Sequence, residues 1–259
     1  MFQGVDHLVI VVNDLEKAAK DYEHLGFTVV PGGRHPVGSH NALISFADGS
    51  YIEIIAFYRE ALDHRWWEPL LKGERLVDYC MRTDDLEGDT QKLRAGGVAI
   101  NDPVPWSRTR PDGYELKWVL SLATGRHRGV APFLIQDVTA RDERIPRERN
   151  HKNGVTGIGK LIVAAGEVST IAQWYKAVLG TGGQSVYDEP LKARGIRFTV
   201  GPHLLEFLSP ADPASPLFDW MKRYGPSPYS VRLHTSTAQA RALDPKLAHG
   251  AKIDLTNGS

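Results

Sequence analysis

From Val5 to Val12 the chain is mostly apolar and β-branched; Asn13 and Asp14 then interrupt it, and Leu15, Ala18, Ala19, Tyr22 and Leu25 recur at helical spacing. The apolar run predicts a buried strand. The Asn-Asp pair predicts a helix start, because short polar side chains take up the unpaired amides of a first turn. Gly26 closes the helix. Beyond it come "FTVV", the loop "PGGRHPVGSH", the run "NALISF", the turn "ADGS" and the run "YIEIIAF", so the segment predicts β-α-β-β-β.

The same order returns from about Arg75. There "LVDYCMRTDD" leads into a helical "LEGDTQKLRAGG", then "VAIN", the turn "RPDG", "YELKWVLSLA" and "APFLIQDV". A third copy runs from "GIGKLIVAAGEVSTIAQWYKAVLG" to "HLLEFLSP", and a partial fourth from "YSVRLHTSTAQARALDPKLAHGAKI" onward. Lys160 stands 153 residues after His7, Glu206 153 after Glu53, and Ile253 153 after Ile100. One offset for three segments implies two paired-module halves. The expected division is 1–139 (modules at about 1–58 and 73–139), a linker at 140–153, and 154–259 (a module at about 154–210 and a truncated one at 229–259). The linker, "TARDERIPRERNHKN", is charged and contains proline, so its arginines are expected on a solvated face.

Composition narrows the partners. Acidic and basic residues balance at 31 each, so no overall field recommends a nucleic acid or an anionic membrane, and a small-molecule substrate is the expected ligand. The lone cysteine, Cys80, excludes an intramolecular disulfide and fits a reducing compartment. With neither a basic leader nor an apolar run of membrane-spanning length, the expectation is a soluble cytoplasmic protein. No phosphate loop, nucleophile elbow, CxxC pair or dinucleotide fingerprint occurs.

Two residues break the apolar pattern in ways that invite chemistry. His7 opens the first buried run, and Glu53 lies among Tyr51, Ile52, Ile54 and Ile55, where a carboxylate is costly unless paired or coordinated. Paired modules opening "DHLVIVVNDLEKAAKDYEHLGF" and closing "GSYIEIIAF" resemble the vicinal oxygen chelate superfamily, and more narrowly the glyoxalase-like domain proteins, over nearly the whole chain. That resemblance implies an α+β fold in which tandem βαβββ modules curl mixed sheets around a cleft. It also implies metal ligands from the first and last strands of a module, here His7 and Glu53, and a divalent ion such as Fe, Mn, Ni or Zn. Matching Asn13–Leu15 with Asp84–Leu86 puts Asp78 at the second module's His7 position and Val231 at the fourth's, so Asp78 is a third candidate ligand. In the third module Lys160 faces Glu206, which predicts an ion pair needing no cation.

Extradiol dioxygenases of the same superfamily use two histidines and a carboxylate. The second module's last strand offers only Gln136 and Asp137, so a second histidine must come from His35 or His40, if their loop folds over the cleft. Arg82, Arg108, Arg110 and Trp118 are candidate substrate contacts, since a guanidinium forks onto a carboxylate or enediolate and an indole floors a planar ligand. Trp66 and Trp67 read as a helix under the cleft or an oligomer surface. The resulting expectation is a metal-dependent isomerase, epimerase or lyase with Glu53 or Asp78 as general base. The alternatives are a metal-free sequestering protein of the bleomycin-resistance type and an extradiol-type dioxygenase. The fourth module's missing strands leave a sheet edge that a homodimer could complete.

Overall fold

A computed structural model describes residues 1–236 and 240–258 of the chain. The first module comprises β1 (Phe2–Val11), α1 (Leu15–His24), β2 (Val30–Arg34), β3 (Ser39–Ser45) and β4 (Tyr51–Phe57), and a short α2 (Trp67–Leu71) follows. The second comprises β5 (Arg75–Thr83), α3 (Leu86–Ala95), β6 (Val104–Thr109), β7 (Glu115–Ser121) and β8 (Phe133–Asp137), then α4 (Arg141–Arg144). The third holds β9 (Val155–Ala164), α5 (Val168–Leu179), β10 (Gln184–Asp188), β11 (Ala193–Val200) and β12 (His203–Pro210), then α6 (Pro216–Tyr224). β13 (Ser227–Thr235), β14 (Arg241–Ala242) and β15 (Ile253–Asn257) make the fourth.

Local chemistry explains why the modules match. Asp14 caps α1 by accepting from the Lys17 amide at 3.0 Å, and Asp85 caps α3 by accepting from Gly88 at 2.9 Å. The register repeats as well. His7 pairs with Tyr51 and Val9 with Glu53; 153 residues later Lys160 pairs with Leu204 and Ile162 with Glu206.

The first two modules curl into a closed barrel, in the order β1-β4-β3-β2-β6-β7-β8-β5. The β2–β6 seam rests on one residue pair, Arg34 with Thr109. Gly33 makes that approach possible: its φ is 146°, and a side chain there would collide with the Thr109 carbonyl. The second strands therefore lie later than the apolar pattern suggests, since β2 joins Val30, the end of the expected "FTVV" strand, to "PGGR" of the expected loop, and β6 follows "VAIN".

The remaining modules form an open seven-stranded sheet, β10-β11-β12-β9-β13-β15-β14. The two sheets share one apolar core, in which Leu8, Ile10 and Met81 join Leu161, Val163 and Leu233. Polar groups tie them too: His203 Nδ1 accepts from the Val5 amide at 2.9 Å, and the Tyr79 and Tyr175 hydroxyls meet at 3.0 Å. Among the described residues no helix is long and apolar enough to cross a membrane.

Candidate active site

Strand alternation turns Val9 and Val11 of β1 toward the barrel interior, and His7 with them. A β-bulge leaves Asp6 as an extra residue between the pairs Val5–Met81 and His7–Cys80, and so breaks the alternation between neighbouring side chains. Asp6 Oδ1 consequently lies 2.8 Å from His7 Nδ1. The ring of His7 stacks on Tyr51, with centroids 4.5 Å apart.

Beneath the bulge the supposed linker enters the barrel. Arg144 is only 3% exposed, contrary to the expected solvated face. Its guanidinium donates to Asp6 Oδ1 at 3.0 Å, to the Tyr51 hydroxyl at 2.8 Å and to Asp137 Oδ2 at 3.0 Å. Arg141 also contacts Asp6. Burial alone would raise the Asp6 pKa, but the charge of Arg144, the hydrogen bond to His7 and the charge of Arg141 hold it well below the usual carboxylate range. An ionised Asp6 accepts, so His7 Nδ1 carries a proton and Nε2 is the ring nitrogen left for the pocket.

That nitrogen faces Glu53. His7 Nε2 is 3.5 Å from Glu53 Oε2, and His35 Nε2 is 4.0 Å from Oε1. His35 comes from the loop between β2 and β3, with Nδ1 3.1 Å from the Ser39 hydroxyl. Burial pushes its pKa down to about 4, so the ring is neutral at neutral pH. Asn41 Nδ2 donates to Glu53 Oε1 at 2.5 Å.

The pocket around these groups occupies about 570 Å³, its open mouth included. Trp66, Trp106, Trp118, Phe133, Leu120 and Ile135 supply apolar wall, with His64 and Arg65 on the α2 side. Burial also pushes the His64 pKa down to about 4.

Among the residues singled out from sequence, His7, His35, Glu53, Arg108 and Trp118 meet in this pocket. The other four do not. Asp78 does stand where β1–β5 symmetry places it, since His7 faces Cys80 while Val9 faces Asp78. Its carboxylate, however, is taken by Arg65 Nη2 at 2.6 Å, Arg65 Nε at 3.0 Å and Trp66 Nε1 at 2.9 Å, so it joins neither His7 nor Glu53. His40 lies between the pocket-lining Ser39 and Asn41 on β3 and so projects outward, where it meets Tyr58 edge-on. Arg82 lies outside the lining, under the electrostatic influence of Arg141 and Asp6. Arg110 is outside as well, folded onto Asp112 across the turn.

Sequence reading missed Asn41, His64, Arg65 and Arg144. Strand parity from Glu53 would have found Asn41; the others lie in segments whose long-range pairing leaves no periodic trace. In the fourth module, Ser230 pairs with Ile162 and so takes the place expected for Val231. Lys160 Nζ and Glu206 Oε2 form the ion pair, at 2.8 Å.

Two donor sets could hold a cation. Asp6, His7 and Cys80 lie close together, but both Asp6 oxygens are engaged by arginine, and burial, aided by the charge of Asp6, raises the thiol pKa of Cys80 well above its usual value. That set does not fit a metal. The set of His7 Nε2, His35 Nε2 and Glu53 fits by donor chemistry, two imidazoles and one carboxylate, although its donor atoms are spread more widely than the 4.8 Å that contains the first set.

Acid should expose the cost of a neutral His35. Below pH 6.5 the unfolded chain takes a proton that the folded ring refuses until about pH 4, so stability falls as pH drops through that window. For metal-free protein the expected loss is about 3 kcal/mol. Urea unfolding at pH 7.5 and 4.5 measures it, and His35→Gln should remove the His35 share while His64 keeps its own; an unchanged slope in that variant would refute the assignment.

Comparison with known proteins adds the relationship. Residues 5–179, more than half of the chain, match the model of a family described as a glyoxalase-like domain. No curated protein matches the sequence. A hypothetical protein from Staphylococcus aureus is similar in structure over 98% of both chains, with a TM-score of 0.71 and 14% identity. A mutant of 4-hydroxymandelate synthase from Streptomyces coelicolor is similar over 92% of this chain and 72% of its own, at a TM-score of 0.64 and 15% identity. A xylose isomerase-like TIM barrel/4-hydroxyphenylpyruvate dioxygenase fusion protein matches over 92% of this chain and 37% of its own, at 0.54 and 15%. At these identities the likeness establishes the fold.

Proposed function

Since the chain belongs to the glyoxalase-like domain family, within the vicinal oxygen chelate superfamily, we propose that the barrel pocket is the active site of a metal-dependent enzyme acting on a small substrate with two adjacent oxygens. The reaction is proton transfer at carbon, of the isomerase, epimerase or lyase type. The observation that carries the reading is the convergence of two imidazole Nε2 atoms on the two oxygens of one buried carboxylate. His7, His35 and Glu53 hold the cation. A bound divalent ion supplies Lewis-acid polarisation of the substrate's oxygens.

The remaining work falls to the protein's own groups. Asp6 and Arg144 fix the tautomer and plane of His7. Asn41 holds Oε1 of Glu53, so Oε2 is the oxygen that meets the cation and, where it is not tightly bound there, takes a proton from a substrate C–H bond. The tryptophan and leucine walls exclude water, which strengthens each charge interaction inside. With Asp78 committed to Arg65, Glu53 is the base this pocket offers.

One observation favours a second reading. Two histidines and a carboxylate are also the ligand set of non-haem ferrous oxygenases. Purified protein equilibrated separately with Mn, Ni, Zn and ferrous iron should retain about one ion per chain, held by the His7, His35 and Glu53 set. His7→Ala should abolish retention, while His40→Ala should leave it intact. Iron-specific retention with substrate-dependent oxygen uptake would move the assignment to oxygenation. Substoichiometric metal that His7→Ala leaves unchanged, together with tight binding of a planar ligand, would sink both readings and favour metal-free ligand sequestration.

A further inference from the structure

The charges lining the pocket sort into groups, and one group is incomplete. Arg65 is matched by Asp78, and Arg141 and Arg144 are matched by Asp6 and Asp137. Glu53 and Arg108 remain. They do not touch, because Asn41 stands between them: its Nδ2 donates to Glu53 and its Oδ1 accepts from Arg108 Nη1 at 3.3 Å. The other contact of Arg108 is a backbone one, from Nη2 to the Arg144 carbonyl at 3.1 Å. Arg108 is 4% exposed, lines the pocket, and its Nε has no hydrogen-bond partner.

The second half shows what a closed arrangement looks like. There Lys160 Nζ lies 2.8 Å from Glu206 Oε2, and Arg197 Nε lies 2.7 Å from Oε1, so the cations sit directly on the carboxylate. In the barrel an amide holds cation and carboxylate apart. A divalent ion on Glu53 would neutralise that carboxylate and leave Arg108 as uncompensated positive charge in an apolar, tryptophan-walled pocket.

We propose that Arg108 is the docking group for a planar, negatively charged substrate, whose carboxylate lies on the guanidinium while its flat body lies against Trp106, Trp118 and Phe133. The proposal rests on the reading of this pocket as the ligand site, and it selects anionic substrates over neutral isosteres. Arg108 acts by binding and orienting; proton transfer stays with Glu53.

The test uses the full chain, with salicylate and salicylamide as probes: one flat skeleton carrying a carboxylate or a neutral carboxamide beside a hydroxyl. Binding is followed by tryptophan fluorescence or calorimetry, with and without Mn(II), and metal content is measured separately. Salicylate should bind more tightly than salicylamide by about tenfold or more, the scale of a charge-assisted hydrogen bond. Arg108→Gln should bring the ratio near unity at unchanged metal content. If that variant does not fold, Arg108→Lys, which keeps the charge and loses the fork, should reduce the ratio without reversing it. Equal binding of the two probes, binding of neither, or a ratio unchanged in the folded variants would overturn the proposal. Failure to retain metal would instead overturn the enzymatic reading, with the probe ratio still readable on metal-free protein.

Discussion

Glu53→Gln is expected to empty the site of metal while leaving the barrel folded. The glutamine keeps the shape and can still accept from Asn41, but it removes the carboxylate charge from a ligand set whose other members are imidazoles. Divalent affinity should fall at least about 100-fold, the upper end of what even an outer-sphere ligand contact is worth. Competition against a chromophoric chelator gives the number. Stability should move the other way. The carboxylate is 6% exposed and has no arginine or lysine on it, so the metal-free variant should be as stable as metal-free wild type, or more so. A marked loss of stability with metal affinity intact would show that Glu53 is a structural residue.

Arg144→Met is expected to be the most destabilising single change in the barrel. It would leave Asp6, fully buried, and Asp137 facing each other with only Arg141 to compensate, at a cost of about 3–5 kcal/mol. For a chain of this size that corresponds to a fall in Tm of roughly 10 °C. Asp6→Asn should cost much less in the Arg144→Met background than in wild type, because the pair is coupled. Calorimetry of the four proteins closes the cycle. If residues 140–153 were a solvated connector, the single substitution would cost under about 0.5 kcal/mol.

These two residues mark how far the chain could be read from its letters. Glu53 was legible because a carboxylate inside "YIEIIAF" contradicts its surroundings, and the offset linking His7 to Lys160 reappears unchanged in the strand pairing. Arg144 was not, because its partner Asp6 lies 138 residues away and no local pattern records a charge pair of that span. Arg65 escaped for a similar reason: it reaches Asp78 from an irregular segment between modules. The choice between His35 and His40 could have been narrowed, since alternation from Glu53 through Leu43 to Asn41 turns His40 away from the interior. The start of β2 could not. "PGGR" looks like a loop because glycine and proline break most strands, and it is a strand here because Gly33 lets two edges meet.

The union of the two sheets through Leu8, Ile10, Leu161 and Val163 bears on how the pocket could be re-used. Leu8 and Ile10, which turn away from His7, belong to the apolar core shared with the C-terminal half, and His203 holds the Val5 amide beside the bulge. The half that contributes nothing to the ligand set is thus the anvil on which the donor geometry is shaped. A graft of the first 153 residues into another scaffold would have to supply an equivalent apolar counter-face, or the imidazole and carboxylate would lose their common aim.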